Sequence, residues 1–138
     1  MSIKKKLIAS DVMLNLKQFP VVEQSTMVKD VFETMNHVGI GIACIVNHAT
    51  ELQGVLTDGD IRRKLMAVQK PLSQFFSDDI DQHMTDQFLT IPPSYSLHDA
   101  IKLMESKRIW DIPIVCEKKK LHGLLHLHHA IKVLIGQS

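Results

Sequence analysis

The sequence predicts an α/β protein built from two β-α-β-β-α repeats packed with pseudo-two-fold symmetry. Three observations lead there. Gly54 in ELQGVLTDGD matches Gly123 in KLHGLLHLHH, 69 positions further on. At the same spacing Val28 meets Leu97, Asp30 meets Asp99, Met35 meets Met104, Ile40 meets Ile109 and Val46 meets Val115. Such self-similarity marks a repeat architecture. Each half, of about 60 residues, also carries more apolar helix and sheet face than it can bury alone, so its twin has to cover the rest.

The elements follow in order. A short segment containing SDVM (Ser10–Met13) precedes the first repeat, and DQHM (Asp81–Met84) precedes the second, here 71 positions apart. Val28, Val31, Phe32 and Met35 recur at i, i+3, i+4 and i+7, one face of a helix; Leu97, Ala100, Ile101 and Met104 repeat the pattern. Ser96 with Asp99 three residues on reads as a capping box for the second of these helices. The apolar stretches IGIACIV and IWDIPIV read as buried strands. Polar turns (NHATE, EKKK) lead into second strands, QGVLT and HGLLHL, and a helix closes each repeat, about Asp58–Val68 and His128–Ile135. The expected boundaries are 1–69 for the first repeat, 70–79 for a linker and 80–138 for the second repeat. Phe75 and Phe76 in KPLSQFFSDD make that linker a helical crossing packed onto the protein, because a flexible tether would not expose two adjacent phenylalanines.

Composition narrows the function classes. The 138 residues are 45% hydrophobic and 22% charged, with a net charge of +1, which offers no field to recruit nucleic acid or an acidic membrane surface. No apolar run approaches the roughly 18 residues of a membrane span. The start, MSIKKKLIA, is basic, but its apolar patch is too short for a signal peptide. Cys44 and Cys116 lie in apolar runs and read as buried thiols of a reducing cytoplasm, although two cysteines leave one bridge open. Five Phe, one Trp and one Tyr are little material for stacking bases.

The stretch GVLTDGDIRRKL, Gly54–Leu65, holds the first candidate site. Thr57 with Asp60 is a capping box, and Asp58 and Asp60 both suit the positive end of a helix. The same residues make a ligand corner. A strand ending at Thr57 delivers a helix N-terminus whose N–H groups favour an anion, and Gly59 leaves room for a phosphate. The Thr57 hydroxyl can donate to a phosphate oxygen, while Asp60 accepts from both hydroxyls of a ribose cis-diol. The pair therefore suits a nucleoside phosphate, and capping and binding both stay open. A metal on Asp58-Gly59-Asp60 is a poorer reading, since hard cations want six or more oxygens. Arg62 and Arg63 follow; they are either a solvated helix face or a source of one cation that folds back to a phosphate.

The duplicated unit with its G-h-h-T/S-x-x-D end resembles a tandem pair of cystathionine-β-synthase-type (CBS) domains, the regulatory Bateman module, over about Ala9 to Ile135. More narrowly, SDVM, GVLTDGDIRR, HMT, LME-K-RI and LHGLLHLHH resemble the C-terminal domain pair of bacterial D-arabinose-5-phosphate isomerases. That family's sugar-isomerase domain precedes the pair and leaves no trace in this sequence. The expectation is an excised regulatory piece or a free-standing relative. The resemblance implies phosphate and ribose contacts at Thr57 and Asp60; Asp58, Gly59 and Arg62 join them as candidate ligand residues on their place in the corner. In the second repeat it implies a base pocket walled by Ile112-Pro113 and by the main chain of Thr90-Ile91. His126 and His129 stand at the two corner positions there, with His128 between. The family usually has an aspartate at the last of these, and a histidine cannot accept from a ribose diol as a carboxylate does.

HLHH (His126, His128, His129) also invites a metal, but no acidic or thiol ligand adjoins it in sequence, so these read as surface or cleft-lining histidines. No nucleophile, base and oxyanion donor set is apparent, which points to a binding module and not an enzyme. The leading expectation is a cytoplasmic regulatory pair sensing an adenine or cytidine nucleotide (AMP, ATP or a CMP-sugar) for an arabinose-5-phosphate isomerase. It would need no cofactor or metal and would form a homodimer through the helices Val28–Met35 and Leu97–Met104. The alternatives are a structural dimerisation module with a vestigial cleft and the regulatory pair of a nucleotidyltransferase.

Overall fold

The computed structural model describes residues 6–136, so Lys4 and Lys5 of the basic start lie outside the described residues. In chain order the elements are α1 (Ala9–Val12), β1 (Val21–Glu23), α2 (Val28–Val38), β2 (Ile42–Val46), β3 (Leu52–Thr57) and α3 (Asp58–Ala67). Then come α4 (Leu72–Ser77), a 3-10 turn (Ile80–Gln82), α5 (Leu97–Lys107), β4 (Asp111–Val115), β5 (Leu121–His126) and α6 (Leu127–Gly136). They gather into two compact units: Leu16–Phe88, and residues 6–15 together with residues 89–136.

In the first of these units β1 runs parallel to β2 and β3 antiparallel to it, in the order β1-β2-β3. All five residues of β2 are buried, as the run IGIACIV requires of a central strand. Val28, Val31 and Met35 of α2 join Ala43, Ile45, Leu56, Phe75 and Ile80 in one core. The crossing segment is helical, and the rings of Phe75 and Phe76 lie 6.3 and 5.6 Å from that of Phe32. Lys70 and His83 both bond the Asp78 carboxylate, the histidine at 2.8 Å, while the Asp78 carbonyl accepts the first amide of α2. The crossing segment is thereby tied to the helix it packs on.

In the other unit, α5 and α6 pack on the β4–β5 hairpin around Leu97, Ala100, Met104, Ile112, Ile114, Leu125 and Ala130, with Ala9 and Val12 of α1. The expected capping box at Ser96 is half made. The Asp99 N–H donates to Ser96 Oγ at 3.3 Å, but the Asp99 side chain is largely exposed beside His98. The first strand expected in this repeat is reduced to a single parallel bridge, Ile91 to Ile114. Proline chemistry explains the loss. The Cys44 N–H reaches back to the Pro20 carbonyl beside β1, whereas the matching residue of β4 is Pro113, which has no N–H, and Pro92 removes another donor.

The two glycines that announced the repeat share one structural purpose. A Cβ on Gly54 would lie 2.5 Å from Met84 Sδ and 3.0 Å from the Thr85 carbonyl; one on Gly123 would lie 2.5 Å from Met13 Sδ and 2.6 Å from the Leu14 carbonyl. Each glycine lets an incoming segment pair with the second strand, Thr85 with Val55 and Leu14 with Leu124. SDVM thus belongs to the unit built by the second repeat's residues, and QHMT to the unit built by the first's.

Neither cysteine forms a disulfide; Cys44 is buried in β2, and Cys116 is half-buried after β4. Among the described residues no helix is long and apolar enough to cross a membrane.

Candidate functional site

Strand β3 ends at Thr57 in extended conformation and α3 begins at the next residue. Both halves of the capping box form. The Asp60 N–H donates to Thr57 Oγ1, and the Thr57 N–H donates to Asp60 Oδ2, each at 3.1 Å. The second carboxylate oxygen, Oδ1, accepts Arg63 Nη2 at 2.6 Å. Burial would raise the Asp60 carboxyl. The Thr57 N–H, the Arg63 guanidinium and the hydroxyls of Thr57 and Thr85 outweigh it and hold the group below the ordinary carboxylate value. An ionised acceptor thus stands at the positive end of a helix, with only 15% of its side chain exposed.

Asp58 turns the other way. Its amide donates to the Gly41 carbonyl at 3.0 Å and its carboxylate lies where a Gly41 side chain would be. It also lines a cavity of about 390 Å³ with Phe32, Met35, Asn36, Gly39, Ile40, Gly41 and Ile61. Arg62, singled out by sequence, is exposed, and the guanidinium on Asp60 is that of Arg63. The Arg63 side chain crosses over Gly59, with the guanidinium Nη1 3.3 Å from the place of a Cβ.

The second repeat's candidates do not come together in one place. Ile91 and Ile112 are core residues and Pro113 is buried, so little of their side chains is exposed. The Ile91 N–H donates to the Pro113 carbonyl and its carbonyl accepts the Val115 N–H, so its main chain serves the sheet and not a base. Thr90 lines a hollow of about 480 Å³ with Ile91, Pro92, Pro93, Ser94, Val115, Cys116 and Glu117, apart from the histidines. His126 ends β5 with Nδ1 2.6 Å from Asp111 Oδ1, directly across the hairpin. His128 lies exposed in α6, its ring 6.4 Å from that of His126, and His129 is half-buried in the same helix. Among the described residues no three His, Cys, Asp or Glu side chains converge as metal ligands do.

Sequence reasoning named Arg62 and Arg63 without choosing between them, and missed Asp111 and Thr85. Arg63 was legible, since Asp60 and Arg63 are an i, i+3 pair of opposite charge. Asp111 pairs with His126 only through the hairpin register. Thr85 reaches Asp60 only because QHMT crosses at Gly54, a long-range event that no local pattern announces.

Known proteins bear on this geometry. The sequence model described as CBS domain matches residues 9–67 and again residues 78–136. An uncharacterized protein of Helicobacter pylori is 30% identical over 136 residues, which is 94% of this chain and 38% of that protein. The arabinose 5-phosphate isomerase KdsD of Yersinia pestis is 27% identical over 123 residues, 89% of this chain and 36% of that one. The chain therefore spans less than two-fifths of the length of these relatives. Among solved structures, CBSX2 in complex with AMP superposes with a TM-score of 0.81 at 24% identity, covering 94% of this chain and 97% of that one. The CBS domain pair of MJ0100, in complex with 5′-methylthioadenosine and S-adenosyl-L-methionine, gives 0.76 at 15% identity, covering 97% and 100%. The structural likenesses speak for the fold, the two family matches cover most of the chain, and the chain accordingly belongs to the CBS domain family as a tandem pair, a regulatory module.

Proposed function

We propose that this CBS pair binds an adenine or cytidine nucleotide, AMP, ATP or a CMP-sugar, in the cytoplasm and regulates an associated arabinose-5-phosphate isomerase domain, with no catalytic step of its own. The observation that carries the nucleotide reading is the Thr57–Asp60 corner. It offers a hydroxyl, a glycine crossed by the exposed Arg63 side chain, and an ionised, largely buried carboxylate at one helix start. Such a set matches the phosphate and the cis-diol of one molecule. The AMP complex of a CBS-pair relative supports the ligand class, and the match to KdsD supports the isomerase. Occupancy belongs to this first corner. Its counterpart has His129 in place of the carboxylate and His126 engaged by Asp111.

A thermal-shift panel of AMP, ATP, CMP and a CMP-sugar tests the reading. Binding to the folded protein alone stabilises it by about 2.7 kcal/mol at a hundred times Kd. At least one member should raise the melting temperature, and Asp60→Ala should abolish or sharply reduce that rise. A panel without any shift rejects the proposal and favours a purely structural dimerisation role.

A further inference from the structure

We infer that Arg63 makes the first corner selective for phosphorylated nucleosides, by occupying Asp60 until a phosphate draws it away. The inference rests on the nucleotide reading above and adds a residue to it.

In the structure Asp60 already has partners on both oxygens. Oδ2 accepts the Thr57 N–H and Oδ1 accepts Arg63 Nη2, and the hydroxyls of Thr57 and Thr85 also favour the ionised carboxylate. A carboxylate has about four acceptor sites, so with these groups in place too little is left for a cis-diol, which needs two. One partner has to leave. The Thr57 amide is fixed where β3 turns into α3, and the Thr85 segment is held by its reciprocal backbone bonds with Val55. Arg63 is the removable one, since its side chain is 68% exposed and reaches Asp60 from the next turn of the helix.

Its position also sets what it meets on leaving. The guanidinium passes over Gly59, with Nη1 and Nη2 at 3.3 and 3.6 Å from the place of a Cβ. That space adjoins the first amides of α3, where an anion gains most from the helix end. A nucleoside that takes Asp60 breaks a charge-assisted bond and offers the guanidinium nothing in return. A nucleoside 5′-phosphate breaks the same bond and supplies a bidentate acceptor within a small swing of the side chain. The ion pair thus penalises the unphosphorylated compound.

Calorimetric titration of the intact protein and of Arg63→Gln with AMP and adenosine, and with CMP and cytidine, tests this. The wild type should favour each nucleotide over its nucleoside by roughly tenfold or more. In Arg63→Gln, nucleoside affinity should rise a few-fold because Asp60 is released, and nucleotide affinity should fall about tenfold, so the ratio collapses. A ratio unchanged in Arg63→Gln, with both affinities still dependent on Asp60, overturns the role of Arg63 and leaves the nucleotide site standing. Equal gains for nucleotide and nucleoside also overturn it, by reducing Arg63 to a simple competitor. Wild type that binds none of the four, or an Asp60→Ala variant that binds as wild type does, rejects the site itself and this inference with it.

Discussion

Asp60 serves the empty helix end and, on the reading above, the ligand. Asparagine separates the two. Asp60→Asn keeps an acceptor for the Thr57 N–H and loses the charge that holds Arg63 and half of the capacity to accept. It should lower unfolding stability by no more than about 1 kcal/mol, since the lost ion pair is partly exposed. AMP affinity should fall about tenfold, read by calorimetry beside a melting curve. Unchanged affinity would leave Asp60 a capping residue only. At this scale the sequence was half legible. Thr57 and Asp60 stand together as their spacing required, because a capping box is set by four consecutive residues. The choice between neighbouring arginines was less visible. Adjacent helical residues point about 100° apart, so only one can return to the residue a turn behind.

Among the elements, the helices and paired strands were readable because their apolar periods are local and recur at one spacing. The incoming segments were not, and the glycines they cross give a sharp test. Gly54→Ala and Gly123→Ala should each destabilise by about 1–3 kcal/mol, as overpacking does. Gly123→Ala should cost more, because its nearest backbone carbonyl is at 2.6 Å against 3.0 Å for Gly54. Adding Met84→Ala to Gly54→Ala should recover part of the loss, a coupling that a double-mutant cycle in denaturant would measure. The helix ends differ too. Gly39 closes α2 in the left-handed region at φ 78°, and the matching position after α5 is Arg108 at φ 54°. Arg108→Gly should therefore stabilise the protein by about 0.5–1 kcal/mol. At the crossing segment, the Lys70 and His83 bonds hold the Asp78 carboxyl below its ordinary value. A depressed carboxylate adds stability that is complete above about pH 4 and is lost as pH falls through the folded value. Between pH 5 and pH 3 the melting temperature of Asp78→Asn should thus fall less steeply than that of wild type.

For the whole molecule, the sequence suggested a dimer through the apolar stripes of α2 and α5. Those stripes are buried within their own units: Val28, Val31 and Met35 in one, Leu97, Ala100 and Met104 in the other. The large apolar residues on show are elsewhere, Met66 on α3 at 84% exposure, Trp110 at 69% and Ile135 on α6 at 68%. We therefore expect sedimentation at micromolar concentration to give a species of about 31 kDa, twice the 15.6 kDa chain, and Ile135→Glu or Met66→Glu to shift it toward the monomer. A 15.6 kDa species alone would count against a dimer. The exchange of incoming segments has a further consequence, for the order of events at the ribosome. Leu16–Phe88 is continuous and can close on itself as soon as it emerges. Residues 6–15 emerge before that insert, whereas their partners, residues 89–136, follow it. Residues 6–15 must therefore wait, unpaired, until the insert and the segment after it have been made, and the gap is bridged by a folded insert and not by loose chain. A fragment of residues 16–88 should fold cooperatively alone, whereas residues 89–138 should fold only when a peptide carrying residues 6–15 is supplied.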